Sequence, residues 1–164
     1  NGTTDMCVMR FDNVFVSFGY YGIFCEGGLE GLQFNQMTIV GVHVGIACKM
    51  GNLLGTAPHC TISNSHVGYF VDYAFYVEGC GPGVFINNNL LYGNVDSTTS
   101  GQFTGVLINK GGPYKGSAVF NNTMYFTNYG MQFANCVAPI RQYANHVNSG
   151  TAIVPGSNYV TGVA

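Results

Sequence analysis

The chain has 164 residues, of which 7% are charged and 47% hydrophobic, with 24 Gly against 5 Pro. A chain of this length is one domain with room for a sizeable core, and charge so far below the roughly 25% of ordinary domains leaves much of the outside in need of cover. A net charge of −2 with only five Lys plus Arg argues against nucleic acid, whose binding rests on neutralising phosphates, and no run of about 18 apolar residues offers a membrane helix.

The sequence opens at Asn1 with neither Met nor a signal-like stretch, so no targeting segment is read from it and a piece of a longer chain is expected. Cys7, Cys25, Cys48, Cys60, Cys80 and Cys136 form no CxxC pair and no zinc spacing. Most lie in apolar runs, where cysteine behaves as a small hydrophobe. Buried thiols made in a reducing compartment are expected.

A two-part unit recurs along the whole chain. Its first part reads FDNVFV (11–16), FNQMTI (34–39), ISNSHV (62–67), INNNLL (86–91), FNNTMY (120–125) and YANHVN (143–148). Its second reads GIFCE (22–26), GIACK (45–49), AFYVE (74–78), GVLIN (105–109), GMQFA (130–134) and, more weakly, GTAIV (150–154). Apolar and polar residues alternate with period 2 in both parts, the mark of strands. Ile23, Ile46, Phe75, Val106 and Met131 then share one column, and Cys25, Cys48, Val77, Ile108 and Phe133 the next. Phe11, Phe34, Ile62, Ile86, Phe120 and Tyr143 form a third.

Copies that run in one direction pair in parallel when stacked, so the expected fold is all-β, a parallel β-solenoid. Its coils, about six, lie near 6–26, 32–49, 60–78, 84–109, 118–134 and 140–154, within a single domain over 1–164. Residues 50–59, 93–104 and 109–117 read as insertions. Neighbouring coils place Cys25 and Cys48 about 4.8 Å apart at Cα, a distance open to a disulfide, although other coils fill that slot with Val, Ile or Phe. Asn13, Gln36, Asn64, Asn88, Asn122 and Asn145 form an amide ladder at a sharp corner, where Asn tolerates left-handed backbone and stacked amides satisfy one another.

That ladder resembles the asparagine ladders of the right-handed parallel β-helices of the pectate lyase superfamily. The resemblance implies a right-handed parallel β-helix. Outward columns read Phe24, Ala47, Tyr76, Leu107, Gln132, Ala152 and Phe15, Thr38, His66, Leu90, Met124, Val147. Exposed apolar stripes of that length call for self-association or a covering domain. A charge-poor, Gly-, Asn- and aromatic-rich solenoid with such an exterior is similar to the trimeric tailspikes of bacteriophages. This implies a homotrimer in the virion tail, made in the host cytoplasm, that binds and cleaves a bacterial surface polysaccharide (capsule or O-antigen). The alternatives are a structural or receptor-binding fibre segment without an active site, and a polysaccharide lyase or epimerase fragment.

Glu26, Lys49, Glu78 and Asn109 follow the second strand in successive coils. Glu26 and Glu78, two strands apart, are separated by about 9.6 Å at the backbone, near the roughly 6.5–9.5 Å of inverting glycosidases. They read either as a catalytic carboxylate pair or as a surface ladder neutralised by Lys49. Tyr20, His43 and Asp72 each precede their coil's motif by two residues. Asp72 beside His43 offers an oriented base and Tyr20 a face for a sugar ring, with a half-buried, purely structural His43 as the alternative. Glu26, Glu78 and Asp72 are therefore the candidate catalytic residues, and Tyr20, His43, Lys49 and Tyr76 the substrate-binding ones. Tyr69, Tyr73 and Tyr92 add aromatic platforms.

No cofactor is expected. Pectate lyases use an acidic calcium cluster and an Arg base, whereas the acids here, among them Asp12 and Asp96, form no run. Arg10 and Arg141 lie near opposite ends, and His59, His66 and His146 show no metal spacing.

Overall fold

The computed structural model describes residues 8–27, 31–50, 59–79, 83–94, 101–110 and 116–161. Cys7, Cys80, Asp96 and most of the three insertions lie outside the described residues.

The alternating segments form strands throughout. In chain order these are β1 (Val8–Asp12) and β2 (Phe15–Glu26); β3 (Gly31–Asn35) and β4 (Thr38–Lys49); β5 (His59–Ser63), β6 (His66–Phe70) and β7 (Tyr73–Glu78). There follow β8 (Val84–Asn87), β9 (Leu90–Gly93) and β10 (Thr104–Asn109); β11 (Ala118–Phe120) and β12 (Thr123–Ala134); β13 (Ile140–Tyr143) and β14 (His146–Ile153); and β15 (Tyr159–Thr161). Each pairs in parallel with its counterpart one repeat away. One sheet runs β1-β3-β5-β8-β11-β13-β15, and the other holds the remaining eight strands. The protein is all-β, with parallel sheets compatible with a solenoid.

The inward columns stack as the repeat requires. Ile23, Ile46, Phe75, Val106 and Met131 are register partners in turn, as are Cys25, Cys48, Val77, Ile108 and Phe133. Ile46, Cys48, Phe75, Val77, Val106, Ile108 and Phe133 are wholly buried, so the core is one continuous apolar stack. The glycine that opens the second motif also has a cause. A Cβ on Gly22 would stand 2.5 Å from Ile39 Cγ2 and 2.6 Å from the Gly45 carbonyl oxygen. One on Gly45 would stand 2.7 Å from Val67 Cγ1, and Gly105 and Gly130 are hemmed in likewise. Here the backbone of each strand passes too near its neighbours to carry a side chain.

Three sets of bends turn the chain, each built on left-handed backbone. The first holds Asn13, Gln36, Asn64, Asn88, Asn121 and Ala144; the second Phe18, Gly41, Tyr69 and Phe126; the third Gly27, Gly79, Lys110 and Asn135. Outside Gly, and to a lesser degree Asn, this geometry costs about 1–2 kcal/mol per residue.

The expected amide ladder is two ladders. Asn13, Gln36, Asn64 and Asn88 occupy the left-handed corner, but its fifth and sixth members are Asn121 and Ala144. Asn122 and Asn145 stand one residue later, in line with Ser65 and Asn89; Ser65, Asn89 and Asn122 are buried and Asn145 is half-buried. The Ser65 N–H donates to Asn89 Oδ1 at 2.9 Å. Asn89 donates to Asn122 Oδ1 from N at 3.1 Å and from Nδ2 at 2.9 Å, and Asn122 to Asn145 Oδ1 at 3.1 and 3.0 Å. The slip begins in β11, where Val119, not Phe120, faces Ile86. Phe120 instead stacks on Tyr143 with ring centroids 4.9 Å apart.

The same slip corrects the outer columns. Leu90 faces Thr123, and Thr123 faces His146, so Met124 and Val147 leave the outer column; Met124 is wholly buried. At the last repeat Met131 faces Ile153, which puts GTAIV two residues out of its expected register. The first outer column is also largely closed: Ala47 and Leu107 are buried, while Phe24 remains 42% exposed.

Candidate functional site

Strands β2, β4 and β7, with the bend at Asp72 that leads into β7, place the expected residues on one outward face. Gly19 and Tyr21 pair with Val42 and Val44, which puts Tyr20 beside His43, and the Asp72 N–H donates to the His43 carbonyl at 2.8 Å. The Tyr20 and His43 rings stack, with centroids 4.8 Å apart and planes 10° from parallel. His43 Nδ1 lies 3.5 Å from Asp72 Oδ2, an ion pair when the imidazole is protonated. Val42 and Val44 on either side are buried while His43 is exposed, because alternation along β4 turns it outward. His43 is therefore a surface residue and not a filler of the core.

The aromatic surface extends from this pair. Tyr21 meets Tyr20 edge-on at 4.8 Å and Phe24 at 4.9 Å, and on β7 Tyr73 packs against Tyr76 at 5.6 Å. Burial, then the charge of Asp72, pushes the Tyr73 phenol up from its ordinary range. Tyr21 was hidden from sequence reasoning because its partners in the column are the buried Val44 and then Tyr73.

Beyond the aromatics runs the ionic row. Glu26, Lys49, Glu78 and Asn109 are successive register partners. Lys49 Nζ sits 5.5 Å from the Phe24 ring centroid, a cation–π contact. Glu78 is tied down: Lys110 Nζ donates to Oε1 at 2.7 Å, and the Tyr76 hydroxyl donates to Oε2. Lys110, and next Tyr76, hold the Glu78 carboxyl below its usual range. The Tyr76 phenol is pushed up to about 12, first by burial and then by its bond to Glu78. Lys110 escapes a strand-based reading because it sits on a bend, with φ of 54°, outside the period of β10.

Glu26, Lys49, Glu78 and Lys110, together with Gly27, Met50 and Gly79, line a cleft of about 590 Å³. The two candidate carboxylates thus share a cleft, but they differ in character. Glu26 is exposed, and Glu78 is a paired, ionised acceptor. A carboxyl held ionised in this way is a poor proton donor at neutral pH. Alternating acceptors and donors beside open aromatic rings suit the recognition of a hydroxyl-rich ligand better than proton transfer. Among the described residues, no group of three or more His, Cys, Asp or Glu is placed to hold a metal ion, and no helix is long and apolar enough to cross a membrane. No protein-family model, no curated protein and no solved structure matches this chain.

Proposed function

We propose that this chain is a right-handed parallel β-helix of about six coils, of the tailspike kind, that assembles as a homotrimer and binds a bacterial surface polysaccharide across the outward face of β2, β4 and β7. The choice of polysaccharide rests on the resemblance of the repeat to tailspikes. The observation that carries binding is the Tyr20–His43 stack beside Asp72, an exposed ring with a polar group at its edge. Rings of this kind offer an apolar face to a sugar and a polar tip to its hydroxyls. Lys49 and Tyr76 continue the same face towards the cleft.

The test is migration of the chain through gels containing capsular or O-antigen polysaccharide, compared with Tyr20→Ala and Asp72→Asn. Retardation of the parent by one polysaccharide, with about a tenfold weaker effect for Tyr20→Ala, corresponding to roughly 1.4 kcal/mol, is expected. Equal migration of the parent with and without every polysaccharide would end the binding reading in favour of a fibre segment without a ligand.

The shared cleft of Glu26 and Glu78 favours hydrolysis as a second reading. In it Glu78, held ionised by Lys110, takes the base role and Glu26, across the same cleft, is the second carboxyl of the pair. Shortening of the bound polysaccharide by the parent chain, abolished in both Glu26→Gln and Glu78→Gln, is the outcome this reading requires.

A further inference from the structure

We infer that a second face of the molecule, between the first and second bends on β4, β6 and β9, is a binding site for a neutral glycan. It lies one bend away from the face of β2, β4 and β7 and does not depend on what that face binds.

Along the first bend runs a groove of about 540 Å³, lined by Gln36, Thr38, Asn64, His66, Asn88 and Leu90. Gln36, Asn64 and Asn88 come from successive repeats and so stand about 4.8 Å apart, one to the next. On either side of this row the polar groups satisfy one another. One residue earlier, Asn35 Nδ2 donates to Asp12 Oδ1 at 3.0 Å, and Asn35 Oδ1 accepts from Ser63 and from Asn64 Nδ2. One residue later, Ser65, Asn89 and Asn122 form the inner ladder. The row between them is left open. Among the described residues, the side chains of Gln36, Thr38, His66 and Asn88 have no hydrogen-bond partner. The bend does not account for Gln36, whose φ of 55° favours Asn or Gly, and Ala144 makes the same turn with no amide at all.

Aromatic rings bound the other side of the same face. Leu91 is wholly buried, so Leu90 in the groove and Tyr92 beyond it point outward together. The Tyr92 ring is held by Tyr69, Tyr125 and Phe126, with centroids 5.8, 6.3 and 4.9 Å away. Tyr69 and Phe126, both left-handed at the second bend, thus wall a platform made of Tyr92 and Tyr125. The register partner of Tyr92 on β6 is Gly68, and His66 Nε2 lies 3.2 Å from where a Cβ on Gly68 would stand. The missing side chain lets the imidazole reach from the groove towards the tyrosine.

The chemistry selects the ligand. No Asp, Glu, Lys or Arg lines the groove, which leaves a polyanion or a charged headgroup without a partner. The backbones of β4, β6 and β9 are committed to their neighbours in the sheet, so an extended peptide cannot add to them as a strand. Uncommitted amides, a hydroxyl and an imidazole beside tyrosine faces suit a ligand with hydroxyls along its length and apolar ring faces between them. A chain of uncharged sugars has that chemistry. Laid along the stack, it meets one member of the row at each strand.

The experiment is electrophoresis through gels containing dextran, laminarin, mannan or galactomannan. It compares the 164-residue chain with the double variant Gln36→Gly, Asn88→Gly and with Tyr20→Ala. Glycine keeps the left-handed bend and removes the amides. Retardation of the parent by at least one of these polysaccharides is expected, about tenfold weaker in the double variant and unchanged in Tyr20→Ala. No retardation of the parent, or equal retardation of the folded double variant, would overturn the inference. Loss in Tyr20→Ala alone would put the neutral sugar on the first face and overturn it likewise. Should the double variant not fold, the unchanged chain decides by NMR with oligosaccharides of the retarding polysaccharide. The side-chain amide signals of Gln36 and Asn88 shift if the groove is occupied, and unmoved signals refute it. Retardation by capsular and O-antigen polysaccharide is read on the same samples, so failure of the first face and failure of this one are told apart.

Discussion

Asn89 and Asn122 lie amide to amide within the core, with Asn89 Nδ2 2.9 Å from Asn122 Oδ1. Both are buried, at 3% and 1% exposure, and Asn122 Nδ2 also donates to the carbonyls of Ile86 and Phe120, each at 3.0 Å. The line from Ser65 to Asn145 threads a polar strip through an apolar interior, and each member depends on the next. Asn122→Ala removes the acceptor of two Asn89 donors at once. A buried donor without a partner costs about 1–3 kcal/mol, so a loss of roughly 2–4 kcal/mol is expected, read as a lower urea midpoint at unchanged slope. Asn145→Ala, at the more exposed end of the line, should cost less. Equal stability of Asn122→Ala and the parent would show that the ladder is incidental.

Much of this arrangement was legible in the residues because alternation and stacking act on short distances. Ile23 over Ile46, Cys25 over Cys48, and Tyr20 beside His43 beside Asp72 all follow from matching one motif to the next. What escaped was set by the bends. A left-handed residue such as Phe18 or Phe126 breaks the two-residue period, so parity on one side of a bend says nothing about the other. In β11 the match of Phe120 to Ile86 was chemically attractive, hydrophobe over hydrophobe. The requirement that a buried amide find amide partners above and below moved the register by one and brought Val119 inside. The exposure of Phe18, Tyr69 and Phe126 was invisible for the same reason, since Phe and Tyr in a strand-like sequence read as core or sheet face.

Thr127 follows directly after the bend at Phe126 and is 4% exposed, yet its hydroxyl has no hydrogen-bond partner among the described residues. A buried hydroxyl without a partner is a desolvation cost with no return. Thr127→Val keeps the shape and removes the polar atom, so a gain of about 1 kcal/mol is expected in urea unfolding. A loss of similar size would mean that the hydroxyl is satisfied in solution.

Cys48 and Cys60 approach sulfur to sulfur at 3.8 Å, well beyond the roughly 2.05 Å of a disulfide. Both are wholly buried, and the contact with Cys48, followed by burial, pushes the Cys60 thiol well above its ordinary range. A thiol in that state is a poor nucleophile. Iodoacetamide at neutral pH is expected to leave the peptides bearing Cys48 and Cys60 unmodified in the folded chain and to label both after denaturation. Labelling of Cys60 in the native protein at the rate of a free thiol would contradict its place in the core.

Tyr76 and Glu78 set the two pH limits of the candidate site. Lys110 and Tyr76 lower the Glu78 carboxyl below its ordinary 4.5, so its contribution to stability is present above about pH 4.5 and is lost as pH falls through the depressed value. The Tyr76 phenol moves the other way, from 10.0 to about 12. Its contribution is present below about pH 10 and lost as pH rises through about 12. Glu78→Gln removes the acid-side term, so the urea midpoint of the variant should fall less steeply than the parent's below pH 4.5. Because the bond to Glu78 is the second cause of the Tyr76 shift, the same variant should release one tyrosinate earlier in an absorbance titration. Lys110→Ala deletes the largest cause of the Glu78 shift and should move the acid limb upwards in pH without advancing the tyrosine. If Glu78→Gln leaves both limbs where they were, the Lys110–Glu78–Tyr76 chain is not formed in solution, and the cleft beside it loses the ionised carboxylate on which the hydrolytic reading depends.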